Sequence, residues 1–271
     1  MKRQTRTTAV DATDSDITII SGDNVAFKLH RKYLDVNTGV FPGAEIVDSK
    51  EEPIHLQEPA SVLAIVFQFL YPRKHPKLND ESFDTVLAVS EAVEKYQVFS
   101  AMNTCETRLI KYLQTPEHAA EILGHAIKHD YPDIINTAVP HLARAPLMPL
   151  LEKLPQHCVL PWVRFQEEWK AVFQKATQEV NSKLLTTTAC EHSNLCINCR
   201  TYLLARISEL ERLETTAGLE AALKSNVTPY PEHRICTICK GTCKYLPEIV
   251  ESCQQGIASI PIFTHFLSKA R

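Results

Sequence analysis

The chain has 271 residues, of which 44% are hydrophobic and 23% charged, a globular balance that excludes wholesale disorder and leaves room for two modest domains. Its net charge of −3 and pI near 6.4 offer no basic footprint for nucleic acid. The longest apolar run, Ala60 to Leu70, is interrupted by Ser61 and Gln68 and is too short to span a bilayer.

Residues 1–14 are polar, with no periodic apolar pattern, and read as a flexible tail. The charges of Met1-Lys2-Arg3-Gln4-Thr5-Arg6 have no apolar segment behind them, so no secretory signal is expected. The protein is therefore expected inside the cell, in cytoplasm or nucleus, where its nine cysteines serve as thiols or metal ligands rather than disulfides.

Ser15-Asp16-Ile17-Thr18-Ile19-Ile20 is rich in β-branched residues and ends at the turn Ser21-Gly22-Asp23-Asn24. Val25, Phe27 and Leu29 then alternate with polar residues, as in a half-buried strand. After His30-Arg31 the period becomes helical, with Tyr33 and Leu34. Pro53-Ile54-His55-Leu56 reads as a short strand. The helix starting at Pro59 carries Val62, Leu63, Ile65, Val66, Phe67, Phe69 and Leu70 nearly all round, so it should be the buried centre. Two more helices are expected at Phe83 to Tyr96, capped by Asn79-Asp80, and at Phe99 to Leu113, with Met102, Cys105, Leu109 and Leu113 inward.

Thr115-Pro116-Glu117 starts another helix, which carries Ile122, Leu123, Ala126 and Ile127, and Pro132 to Leu142 gives the next. Pro146, Pro149 and Pro155 punctuate a connector. A long amphipathic helix follows from Pro161, with Trp162, Phe165, Trp169, Val172, Phe173, Ala176 and Val180 on one side. No internal repeat or low-complexity tract is evident.

The first part resembles a BTB/POZ domain. The likeness rests on Asp16, the two strands, His30-Arg31, Leu34, Phe41 within Asn37-Thr38-Gly39-Val40-Phe41 (Thr38 where the family has Ser), and the helices ending at Tyr71, Lys95-Tyr96 and Leu113. The order of elements carries it more than any single motif. Where many BTB domains have Tyr-Thr-Gly, this chain has Tyr71-Pro72-Arg73-Lys74-His75-Pro76, which is similar to BTB proteins of mushroom-forming (basidiomycete) fungi. The resemblance implies an α+β BTB/POZ fold, a small β-sheet flanked by a helix cluster. It is followed by an all-α C-terminal region with a cysteine-rich end. The implied division is a tail at 1–14, a BTB domain at 15–114, a helical extension at 115–160 and a helical, cysteine-rich region at 161–271. It also implies a homodimer, with Asp16 and Arg31 in a charged pocket near the dimer interface; the alternative is an Asp that merely precedes a strand and a solvated Arg.

Six of the nine cysteines fall into two groups, Cys190-x-His192-x3-Cys196-x2-Cys199 and His233-x2-Cys236-x2-Cys239-x3-Cys243. Two Cys-x2-Cys pairs suit one tetrahedral zinc held by Cys196, Cys199, Cys236 and Cys239, with Cys190, His192, His233 and Cys243 as further candidate ligands. Arg200 to Lys224 looks helical, and a straight helix of that length would part the pairs by about 37 Å. The return from Ser225 to Ile235 spans at most about 36–40 Å. One shared ion thus needs a stretched return or a helix break near Thr215-Thr216-Ala217-Gly218; two local sites and thiols simply packed as small hydrophobes are the alternatives.

No set for catalysis is found. His55, His75, His125, His129 and His157 are scattered, Cys105 and Cys158 sit in apolar helical contexts, and no glycine loop could cradle a phosphate. The expected function is therefore non-enzymatic: a protein-interaction module that homodimerises and presents its C-terminal helices to a protein partner. Alternatives are a substrate adaptor of a cullin-type ubiquitin ligase and a transcriptional regulator. The latter normally needs a DNA-reading module, and no Cys2His2 finger of the proper spacing is present. A zinc enzyme is the least favoured. Structural zinc is the one cofactor considered, and neither nucleic acid nor membrane is expected as a partner.

Overall fold

The Ser21 hydroxyl ties the first turn together: it donates to Asp23, and the Val25 N–H donates back to it at 3.0 Å. Asn24 adopts a left-handed φ of 61°, which Asn tolerates better than most residues. This turn joins β1 (Ile17–Ile20) to β2 (Ala26–Leu29), antiparallel with Ile17 opposite Leu29 and Ile19 opposite Phe27. Those four side chains are buried, as the alternation predicts. The computed structural model describes residues 14–39, 53–191, 194–225, 236–241 and 243–269, and the chain divides into two units, Met1–His118 and Ala119–Arg271. Phe41 lies outside the described residues.

In the first unit, helix α1 (Arg31–Asn37) follows the hairpin, and β3 (Ile54–His55) pairs parallel to β1, giving the sheet order β2-β1-β3. Helix α2 (Ala60–Val66) tightens into a 3-10 turn at Phe67–Leu70, and all seven apolar residues named above for this segment are buried. Its start is held from the hairpin, where the Asp23 carboxylate accepts the Ala60 N–H at 2.8 Å. Helix α3 (Phe83–Tyr96) is capped by Ser82, whose hydroxyl accepts the Thr85 N–H, and not by Asn79-Asp80. The Asn79 carbonyl instead receives the Arg108 guanidinium at 2.7 Å. Gln97, at a left-handed φ of 51°, turns the chain into α4 (Phe99–Tyr112), whose inner face is Ala101, Cys105 and Leu109.

Glu58 ties this unit's sheet side to α3. Its carboxylate accepts from the Lys95 ammonium at 2.6 Å and from the Tyr96 hydroxyl. Burial alone would raise the Glu58 carboxyl, but these two hydrogen bonds outweigh it and hold it below its ordinary 4.5. A lowered folded-state value contributes stability above the unfolded carboxylate's range, and that contribution is lost as pH falls through the folded value. Glu58→Gln should therefore cost about 1–2 kcal/mol at neutral pH, and the gap to wild type should close as pH falls below the ordinary carboxylate range. Thermal melts at several pH values measure it; a pH-independent gap would refute the linkage.

The second unit opens with the antiparallel pair α5 (Ala119–Lys128) and α6 (Pro132–Leu142), then the short α7 (Leu147–Leu151) and the long α8 (Val159–Ser182). Trp162 is fully buried, with the ring of Phe263 at 4.8 Å and that of Phe165 at 5.5 Å. After α8 come β4 (Leu184–Thr186) and β5 (Asn194–Cys196), paired parallel. Helix α9 (Ile197–Arg212) and helix α10 (Thr216–Ser225) take the place of the single helix expected over 200–224. The break falls where Leu213 turns extended and the Thr215 hydroxyl accepts the Gly218 N–H. Helices α11 (Leu246–Ala258) and α12 (Phe263–Ser268) complete the unit. The whole is α+β: a small sheet with helices, then a helical region with a cysteine cluster near its end.

Candidate functional site

The cysteine cluster is built from three local structures. Cys196 ends β5 and is the N-cap of α9, its sulfur accepting the Cys199 N–H at 3.4 Å. A helix start with two thiols in its first turn aims both sulfurs and several free N–H groups at one point. Cys190 lies in the β4–β5 connection and is buried; its sulfur accepts the Cys196 N–H at 3.2 Å. The third piece is the turn 236–241. The Cys236 N–H donates to the Gly241 carbonyl at 2.8 Å, the Lys240 N–H to the Cys236 carbonyl at 2.7 Å, and Lys240 takes a left-handed φ of 54°. This turn brings the Cys239 sulfur to 3.6 Å from that of Cys196 and 3.8 Å from that of Cys199.

The sulfurs of Cys190, Cys196, Cys199 and Cys239 all lie within 4.8 Å of one another. The Cys236 sulfur is 3.5 Å from that of Cys196 but is not in that group of four. Cys243 is buried in the same apolar cluster as Cys190, Cys196 and Cys199. His192 and His233 lie outside the described residues. Zinc–sulfur bonds of about 2.3 Å in a tetrahedron place the sulfurs about 3.8 Å apart, so the spacing fits one ion. It does not fit disulfides, whose sulfurs sit about 2.05 Å apart. The chain breaks between α9 and α10 near Thr215 and Gly218, and the two Cys-x2-Cys segments meet.

The free thiols differ in acidity. The Cys190 N–H donates to the Cys239 sulfur at 3.3 Å and, with burial opposing, pulls that thiol down to about 7. Burial pushes Cys196 up to about 12 and raises Cys199 as well. Binding a metal at such a cluster would displace the thiol protons to solvent, so its affinity would fall as pH falls.

Asp16 is exposed, and its carboxylate accepts the Arg31 backbone N–H at 2.7 Å, anchoring the start of α1. No ion pair between the Asp16 and Arg31 side chains occurs among the described residues. Beside them His30 links Asp14, at 2.9 Å from Nε2, to the Tyr71 hydroxyl, at 3.2 Å from Nδ1, with the Tyr33 ring packed on both aromatics. The sequence reading did not single out this group, whose members lie far apart in the chain. On α1, Val36 is 79% exposed.

Residues 9–113 match the family model of the BTB/POZ domain. No curated protein matches the chain. The match covers the sheet and α1 to α4, so the first unit carries a BTB domain and the cysteine cluster lies beyond it. As a BTB domain it is a protein-interaction module. A cleft of about 260 Å³ in the second unit is lined by Trp169, Leu219, Leu223 and Ile257, with Glu220 and Lys224 paired to each other at 3.7 Å; it holds no acid–base or nucleophile set among the described residues. No described helix is long and apolar enough to cross a membrane.

Proposed function

We propose that this chain is a non-enzymatic interaction module of the cell interior. It homodimerises through its BTB domain, presents its C-terminal helices to a protein partner and carries a structural zinc in the cysteine cluster. The observation that carries the reading is the BTB match over residues 9–113, on a unit whose strand and helix order the hairpin already announced. Exposed Val36 on α1, the helix whose start Asp16 anchors at Arg31, supplies an apolar spot that suits a self-complementary dimer face. The zinc reading is supported by sulfur spacing and by the N–H groups directed at the sulfurs. The likeness to BTB proteins of mushroom-forming fungi, carried by Tyr71-Pro72, belongs to the same proposal.

Asp16→Asn keeps an oxygen for the Arg31 N–H but removes the charge, so folding should survive while the dimer weakens by about tenfold or more. Light scattering after size exclusion reads this directly; an unchanged dimer mass across dilution would remove Asp16 from the interface. A second reading, adaptor of a cullin-type ubiquitin ligase, is favoured by the α5–α6 helix pair that directly follows the BTB domain in the chain. Pull-down with a cullin tests it, and absence of binding at micromolar concentration excludes it.

A further inference from the structure

The cluster holds more thiols than one tetrahedral ion can use. Cys190, Cys196, Cys199 and Cys239 form the mutually close set, while Cys236, 3.5 Å from Cys196 and also facing Cys199, lies outside it. We propose that a single zinc ion is bound by the thiolates of Cys190, Cys196, Cys199 and Cys239, and that Cys236 stands beside it as a fifth thiol that can replace a ligand and speed exchange of the ion. This rests on the structural-zinc reading above and goes further by fixing the ligand set, the stoichiometry and the route of exchange.

Three observations carry the assignment. The four sulfurs come from separate pieces of backbone, the β4–β5 connection, the start of α9 and the 236–241 turn, so they surround a point instead of lying along one strand. Sulfurs within 4.8 Å of one another leave space for one ion and none for a multi-iron cluster with bridging sulfides. The four-thiolate ion would carry a net charge of about −2, and the N–H groups of Cys190, Cys196 and Cys199, each donating to a sulfur of the set, offset it along with the α9 N-terminus. An all-thiolate set selects a soft or borderline metal and excludes magnesium and calcium.

Cys236 differs from the ligands in its position. Its sulfur accepts the Cys239 N–H at 3.4 Å, which anchors the turn whether or not Cys236 binds metal. Cys236 and Cys239 are partly exposed, whereas Cys190, Cys196 and Cys199 are buried, so the ion's path to solvent runs past this turn. In exchange, the Cys236 thiol would lose its proton to water and form a zinc–sulfur bond as the bond to Cys239 breaks and that sulfur takes up a proton. The oxidation state of zinc and sulfur does not change.

The test uses the full chain, purified under reducing conditions, with metal content by native mass spectrometry and elemental analysis. One zinc per chain is expected. Cys236→Ser should keep that single zinc, give the visible spectrum of a four-thiolate cobalt site when cobalt is substituted, and release zinc to a chromophoric chelator severalfold more slowly than wild type. Cys190→Ser should lose the ion or bind it at least tenfold more weakly. If Cys190→Ser fails to fold, Cys236→Ser decides alone: loss of metal, or a cobalt spectrum with fewer thiolates, overturns the ligand set. Unchanged release kinetics overturns the exchange role. Two zinc ions per chain, or iron in place of zinc, overturns the single-zinc assignment while leaving a metal site. No metal in the wild-type protein overturns both this assignment and the reading beneath it.

Discussion

Removing zinc with a strong chelator under reducing conditions should unfold the second unit and leave the BTB domain folded. A structural zinc bound by thiolates is worth about 10–16 kcal/mol of apparent binding energy at neutral pH. That matches or exceeds the about 5–15 kcal/mol by which a whole domain is stable. Here the ion would sit inside the core: Cys190, Cys196 and Cys199 belong to the same buried cluster as Phe173, Val180, Leu203, Ile207 and Cys253. The opposing effect is that protonated thiols pack as small hydrophobes. Burial favours that neutral form at Cys196, so part of the core would survive loss of the metal. The balance still favours unfolding, because among the described residues the 236–241 turn is held to β5 and α9 by sulfur contacts, the Asn198–Thr237 hydrogen bond and the packing of Ile238. The readout is specific. Both tryptophans of the chain, Trp162 and Trp169, lie in the second unit, so their emission reports on it alone. A red shift with chelator, reversed by added zinc, is the expected result; unchanged emission and an unchanged melting curve would mean that the thiols hold the unit without a metal.

How much could be read from the chain varied with how local each signal was. The hairpin was legible because Ile17, Ile19, Phe27 and Leu29 alternate on either side of a turn in which Ser21 and Asp23 bond through their side chains and Asn24 takes a left-handed φ. Helix α2 was legible because its apolar residues run all round, and the structure buries every one. The cap of α3 was misplaced by two to three residues, since Asn79, Asp80 and Ser82 are all good caps; the structure uses Ser82, while the Asn79 carbonyl accepts from Arg108. The β4–β5 pair escaped notice because Leu184 and Leu185 are exposed and the strands are only three residues long. The Cys-x2-Cys spacing pointed to Cys196, Cys199, Cys236 and Cys239, whereas Cys190 could be ranked only once β5 folded it back over the start of α9. A candidate ligand six residues away in a loop has no periodic signature; its place depends on a strand pairing that the sequence does not advertise.

Arg144 shows the same limit in energetic terms and leads to the second large effect. Nothing in Ala143-Arg144-Ala145-Pro146 distinguishes this arginine from a solvated one. In the structure its guanidinium donates to the carbonyls of Leu210, Glu211 and Leu213 at the C-terminal end of α9, where the Leu210 carbonyl also accepts the Leu213 N–H. It also lies over the Phe173 ring at 4.9 Å and the Trp169 ring at 5.8 Å. A cation at the negative end of a helix, with its donors on helix-end carbonyls and its face on aromatics, combines three favourable interactions. Burial lowers its pKa, but an arginine stays charged through the accessible pH range, so the contact is not a pH switch. Truncation removes the donors and leaves the carbonyls at the α9–α10 break without them. Arg144→Ala should cost about 3 kcal/mol, most of it from polar groups left unpaired. For a unit of this size that is a fall of about 6–12 °C in melting temperature, seen in tryptophan emission and not in the BTB transition. Arg144→Lys keeps the charge but cannot span three carbonyls or stack on both rings, and should recover less than half of the loss. Full recovery by lysine would show that charge at the helix end is the whole effect; a loss under about 0.5 kcal/mol for Arg144→Ala would show that water replaces the guanidinium without cost.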